Sequence, residues 1–330
     1  MNPSAQQGDQ LGPLNPGDVV SAALRLYKDK FKPYFQLAVL ATLWLLAGVV
    51  GMAIAIAILV VIGLAIGGDV GAIVGGLLGL LVGFAPLLYG SAKYYALSSA
   101  IGRLSFRELI NQPETSLEAR RQVAPRLGQF LFLGFLLMLA YMAAYLVAVL
   151  AALIGGGSVG FLTAGIFSAL INGSVGAVIG ISLGALLGLG ILLVVLIWVA
   201  SRLFIAEVVL AIESQQDAGT SMSRSWELTQ SAIMRIQVVF LATFLIQLPI
   251  LSVTNYIPSI MLELLPDDTV LYSITALLSL ILSLFGSMVV LPLWQAVKGV
   301  LYYDLRSRRE GLDLALRQGD EGMPAADLDL

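Results

Sequence analysis

Residues Leu37–Ala92 read LAVLATLWLLAGVVGMAIAIAILVVIGLAIGGDVGAIVGGLLGLLVGFAPLLYGSA, and the single charged residue among them is Asp69. A bilayer crossing takes about 20 apolar residues. The stretch therefore holds two crossings, Leu37–Ile66 and Gly71–Ala92, with a short turn at Gly67-Gly68-Asp69 between them. The first is longer than a crossing needs, which predicts a tilt or a break near Gly63. Working outward, the same reading gives a second pair, Leu127–Ile154 and Ser174–Ser201, and a third, Ile236–Thr254 and Leu271–Val297. The expected fold is an all-α integral membrane protein, with six transmembrane helices in three hairpins and a cytoplasmic interfacial helix before each hairpin.

Charge fixes the expected orientation. The chain has 18 Lys and Arg residues. None falls in the three connections Gly67–Val70, Gly155–Gly173 and Asn255–Val270. Basic residues near crossing ends stay in the cytoplasm, so those connections lie on the far side and both termini are cytoplasmic. A bacterial plasma membrane is the expected location. The polar, Gly/Pro-rich residues 1–17 carry no apolar segment with a small-residue cleavage site, so the first apolar run is expected to be retained.

Composition excludes several kinds of chemistry. Hydrophobic residues make up 58% of the 330 and charged residues 12%, against about a quarter charged in a soluble globule. With no Cys and no His, disulfides, thiolate chemistry, His-based metal sites and His general bases are ruled out. No metal site or cofactor is expected. A formal charge of −3 argues against nucleic acid as a partner. No phosphate loop, dinucleotide fingerprint or HExxH occurs.

Short helices are expected between the hairpins. Asp18–Lys32 sets Val19, Val20, Leu24, Tyr27 and Phe31 on one face, with Arg25, Lys28, Lys30 and Lys32 around it, the pattern of an interfacial helix. Thr115 with Glu118 reads as a capping box that opens a helix toward Arg126. Ser221–Gln230 is a third such segment. One unit therefore recurs in one polytopic domain, 18–318, over about 18–103, 116–213 and 220–309. Residues 1–17 and the acidic 319–330 are expected to be disordered. The connection Gly157–Gly173 is expected to lie in the outer interface or to dip in as a half-helix.

Two features recur in the second crossing of each pair. One is a ridge of small residues at fourfold spacing: Gly71, Gly75, Gly79 and Gly83; then Gly176, Gly180, Gly184 and Gly188; then Thr275, Ser279, Ser283 and Ser287. In lipid, small residues at this spacing let backbones approach, so crossings two, four and six are expected to be the inner helices. The other is an aromatic residue four positions before a cation: Tyr89 with Lys93, Trp198 with Arg202, Trp294 with Lys298. The spacing puts each pair on one face, within cation–π reach. Either each cation snorkels to the headgroups beside an interfacial aromatic, or the three converge on an anion such as a lipid phosphate. Glu207 and Asp304 are possible internal partners that would weaken such a site. Pro86 and Pro292 lie inside crossings and are expected to kink them. Asn172 and Asn255 read as caps, and Glu263, Asp267 and Asp268 as a solvated acidic outer loop.

Some short stretches look familiar. Arg224-Ser225-Trp226-Glu227-Leu228-Thr229, then Leu301-Tyr302-Tyr303-Asp304-Leu305-Arg306 continuing through Arg308 and Glu310-Gly311-Leu312-Asp313-Leu314, together with the opening Pro16-Gly17-Asp18, resemble the membrane domain fused to some bacterial glycerophosphoryl diester phosphodiesterases, and its stand-alone relatives. The resemblance covers most of the chain in layout and these stretches in residues. It implies a bacterial polytopic module. The fused enzymes' catalytic barrel, with its His and acidic ligands, has no counterpart in these residues, so phosphodiesterase activity is not carried over.

The function expected first is a non-enzymatic membrane module that binds membrane lipids or a membrane or cytoplasmic protein partner. A small-solute transporter or channel is the alternative. Internal repeats favour it, while the scarcity of charge in mid-membrane opposes it. A third reading is an anchor or assembly factor for a separate enzyme. An enzyme is the most remote, because no paired acid and base is visible.

Overall fold

A computed structural model describes residues 14–171, 173–267, 269–314 and 316. Of the stretch 1–17 expected to be disordered, residues 1–13 lie outside the described residues, as do the acidic tail, Asn172 and Asp268. Residues 14–17 are instead ordered: Pro16 and Gly17 open the first helix, and Leu14 bonds Asp304, Arg235 and Arg308. Every regular element among the described residues is helical. In order these are α1 (Pro16–Asp29), α2 (Phe31–Leu109), α3 (Ser116–Val123), α4 (Leu127–Leu170), α5 (Gly173–Leu203), α6 (Ala206–Ile212), α7 (Ala218–Thr229), α8 (Ile233–Leu251), α9 (Ile257–Glu263) and α10 (Val270–Glu310). Among the described residues, five helical runs are long and apolar enough to cross a membrane.

The 79-residue α2 is a hairpin. Its backbone leaves helical geometry at Gly67 and at Gly68, where φ is +58°. A side chain rarely adopts that conformation and glycine does so freely. The limbs then run back along each other. A methyl group on Gly63 would sit 2.0 Å from the Gly71 carbonyl oxygen, and one on Gly79 would sit 2.6 Å from Ile56 Cα. The break is thus at Gly67–Gly68, and Gly63 is a packing position one turn earlier. Helix geometry continues through Pro86, whose ring and carbonyl fit against Gly51 and Gly48 of the first limb.

The small-residue ridges close each hairpin on itself, which corrects the inner-helix expectation. Gly71, Gly75, Gly79 and Gly83 face Gly63, Leu59, Ile56 and Met52 of their own hairpin. Gly176, Gly180 and Gly184 face Phe167, Ala164 and Gly156–Gly160 of α4, and Gly188 faces Ala152. In the third hairpin Ser283 donates to Asn255 at 2.8 Å, while Ser279 and Ser287 bond back to Thr275 and Ser283 of their own helix. The physical reason is local: the adjoining limb is the backbone that a short connection brings within reach, so the ridge faces it.

Two expected connections are mostly helix. α4 runs for 44 residues to Leu170, through the Gly155-Gly156-Gly157 run that predicted a loop. Gly156 and Gly160 lie in the interface, against Gly184 and Gly188. Likewise α8 passes through a π-turn at Ser252–Tyr256 into α9. Asn255 lies inside that turn, bonded to Thr254 and Ser283, and is not a cap.

The buried core lies at one end of the bundle. Its largest fully buried side chains include Tyr34, Tyr302, Tyr303, Phe106 and Phe130. They come from α1, the inner ends of the long helices, α3, α6 and α7, and not from the middle of the hairpins. Burying one such side chain contributes roughly 1.5–3 kcal/mol. The limbs beyond this core expose Leu, Ile, Val and Phe outward, as at Leu81, Phe161 and Leu271. The expected capping box forms at α3, and a second, not read from the sequence, caps α7. Thr115 accepts from the Glu118 amide, Glu118 accepts from the Thr115 amide, and Asp217 with Thr220 repeats the arrangement at α7. α1 is docked rather than free: Val19, Val20 and Ala23 are buried, and the Tyr27 hydroxyl donates to the Val289 carbonyl at 3.0 Å.

Candidate anion-binding site

Two of the three aromatic–cation pairs form as the spacing predicts. Lys93 Nζ lies 5.5 Å from the centre of the Tyr89 ring. The first limb of α2 adds Trp44, whose ring is 5.6 Å from the same nitrogen and edge-on to Tyr89. The Arg202 guanidinium lies 5.4 Å from Trp198 and 5.0 Å from Trp226 of α7. The two indoles stand at 89° to each other.

The third pair departs from the pattern. Lys298 makes an ion pair with Glu207 and lies 5.1 Å from the Phe204 ring. Trp294 turns away, donating its indole N–H to Gln247 at 2.6 Å and packing on Phe204 and Phe240. Gln295 donates to Glu207 at 3.0 Å. Lys298 is therefore neutralised inside the protein. Asp304 serves other cations: it pairs with Arg235 at 2.7 Å and Arg308 at 3.1 Å, and accepts the Leu14 amide at 2.7 Å. The three cations occupy separate surroundings and share no aromatic ring or side-chain hydrogen-bond partner among the described residues.

Lys93 and Arg202 have no carboxylate within ion-pair distance among the described residues. Arg202 is 8% exposed. Its Nη1 reaches the Trp226 carbonyl only at 3.4 Å, and its buried Nε has no partner. Removing a charge from water without a counter-charge is costly, so an anion beside this group would be stabilised.

Beside Lys93 is a cavity of about 200 Å³, lined by Trp44, Lys93, Arg120 and Arg121 among alanine, leucine and valine side chains. α3 supplies the two arginines because its other face is committed. Ala119 and Val123 are buried in the core, one turn apart, which leaves Arg120 and Arg121 exposed. Glu114, just before the helix, ties down Arg103 at 2.7 Å and Arg107 at 3.1 Å. Neither Arg120 nor Arg121 has an ion pair or side-chain hydrogen bond among the described residues. The nearby Glu118 carboxyl is held below its ordinary range, first by the Thr115 amide and then by its hydroxyl, and only weakly by Arg121.

Arg103 and Arg126 play a structural part that their positions in sequence do not reveal. Both donate to carbonyls at the end of α6: Arg103 to Ala211 at 2.8 Å, Arg126 to Leu210 and Glu213. They satisfy acceptors that a helix C-terminus leaves open. The residues Arg224, Tyr302, Asp304, Arg306, Arg308 and Glu310 enter the same charged end. Arg224 bonds Glu213 and Glu310, Tyr302 donates to Glu213 at 2.6 Å, and Arg306 meets Glu310 at 2.7 Å. Compared with protein families, curated proteins and solved structures, the chain finds no match in any of the three.

Proposed function

We propose that this chain is a non-enzymatic module of the bacterial plasma membrane that binds anionic lipid at the cytoplasmic ends of its helices. In this reading the limbs of α2, together with α4, α5, α8–α9 and α10, make six crossings in three hairpins, with both termini in the cytoplasm. Its three units each consist of a short helix followed by a hairpin, in the manner of the membrane domain of the glycerophosphoryl diester phosphodiesterase type. The single observation carrying the lipid reading is the pair of cations, Lys93 and Arg202, each held against two aromatic rings with no carboxylate partner among the described residues. Trp and Tyr favour the headgroup level of a bilayer, and a basic side chain there meets lipid phosphate.

Native mass spectrometry of the protein released from its own membrane tests this. Bound anionic lipid is expected on the wild type, and much less on the Lys93→Gln/Arg202→Gln variant. Equal retention by both would refute the site. The crossings are tested separately. Because the chain has no Cys, a single introduced thiol is unique. Asp69→Cys and Glu263→Cys should react with an impermeant maleimide from the outer face, whereas Gln112→Cys should react only after the cells are opened.

A further inference from the structure

The cavity between Lys93 and α3 has a composition that selects among anions. Three cationic residues line it: Lys93, whose Nζ is held by the rings of Trp44 and Tyr89, Arg120 and Arg121. No carboxylate lines it. Apart from the Trp44 indole, the rest of its wall is alanine, leucine and valine. A headgroup rich in hydroxyls, such as glycerol or a sugar, could accept from these donors but would meet no side-chain acceptor in the wall for its own O–H groups, which is costly where they are buried. A bare phosphate needs only charge and donors, and two guanidinium forks with an ammonium supply both.

We infer that this cavity is a site for a phosphate monoester, carried by a glycerolipid whose chains lie along the apolar limbs of α2 and α4. The inference rests on the anionic-lipid reading above and narrows it to one chemical class. A monoester carries nearly two negative charges at neutral pH, because its second ionisation falls near pH 6. A diester such as phosphatidylglycerol carries one. Three cations with no acid in the wall favour the doubly charged group, and the preference grows as pH rises through that ionisation.

The test uses the full chain in detergent micelles with equal amounts of phosphatidic acid and phosphatidylglycerol, the bound fraction of each being read by native mass spectrometry. A several-fold preference for phosphatidic acid is expected at about pH 7.5, shrinking toward parity near pH 5, below the second ionisation. Arg120→Gln/Arg121→Gln should abolish the preference while its thermal melting stays close to wild type, since both side chains are exposed. Lys93→Gln provides the same test from the other wall. Equal uptake of both lipids at about pH 7.5 would overturn the monoester assignment and leave the anionic-lipid reading standing. No uptake of either would overturn both. If inorganic phosphate displaces phosphatidic acid at comparable concentration and raises the melting temperature as much, the monoester assignment holds with a soluble source for the ligand.

Discussion

Gly184 shows what one hydrogen atom does in this protein. A methyl group there would lie 2.4 Å from both the Gly156 carbonyl oxygen and Gly160 Cα. Backbone atoms cannot swing aside as a side chain can, so the limbs must separate. Gly184→Leu, and likewise Gly79→Leu against Ile56, should therefore destabilise the protein by roughly 1–3 kcal/mol, read as a lower melting temperature in detergent. Gly190 has nothing within 4 Å of the same construction, so Gly190→Ala should melt like the wild type. Asp304 is the polar counterpart. Fully buried, it serves Arg235, Arg308 and the Leu14 amide together. Asp304→Ala leaves cations without their anion and should cost about 3–5 kcal/mol. The partners of Lys93 and Arg202 at i−4 were legible in the sequence, because helical spacing alone brings them together. Trp44 and Trp226 were not, since each arrives from a distant element that no local pattern identifies; Glu207, read from the sequence as a possible internal partner, is the carboxylate that pairs with Lys298.

At the scale of elements, α3 is a short helix with little intrinsic stability of its own. It is held by its cap, by Ala119 and Val123, and by Glu114 on Arg103 and Arg107. Thr115→Ala should loosen it by about 1 kcal/mol, seen as faster amide exchange over residues 116–123. Glu118 gives the same helix a pH dependence. Its carboxyl ionises below the ordinary range because it accepts from Thr115. The ionised cap therefore stabilises the folded state above the ordinary glutamate pKa, and that contribution is lost as pH falls through the lower, folded value. Exchange in α3 should accordingly rise only below about pH 4. The connections were the elements hardest to read. Gly155-Gly156-Gly157 breaks a helix in water, where glycine exposes backbone and adds entropy to the unfolded chain. Between two apolar limbs the same residues are the contact surface, so α4 runs straight through them. Asn255 reads as a cap by residue type, but the π-turn that places it against Ser283 is set by α10, across the hairpin.

Across the whole molecule, the division of labour follows the solvent. Aqueous burial, ion pairs and helix caps gather at the charged end. The hairpins rely on close glycine contacts, since apolar burial gives helices no advantage over lipid. This explains why the hairpins were visible in the sequence while the charged end was not: the former are periodic and local, the latter joins Arg103 to Ala211 and Tyr302 to Glu213. α4 spans 44 residues, about 66 Å at 1.5 Å per residue, against a hydrocarbon thickness of about 30 Å. Part of it belongs to the charged end, and the remainder must slant. Reconstitution in thicker bilayers should bring the second hairpin closer to upright, measurable as a change in helix tilt by polarised infrared spectroscopy.

The tie between Leu14 and Asp304 spans 290 residues. At ribosomal speeds of about 5–20 residues per second, the first residues of α1 emerge roughly 15–60 s before the carboxylate that will hold them. During that interval Val19, Val20 and Ala23 have no α10 to pack on, and the membrane surface is the nearest apolar phase. α1 should therefore ride that surface first and dock only once α10 has been made. A nascent chain stalled before α10 should keep α1 on the lipid, open to protease, long after its hairpins have formed.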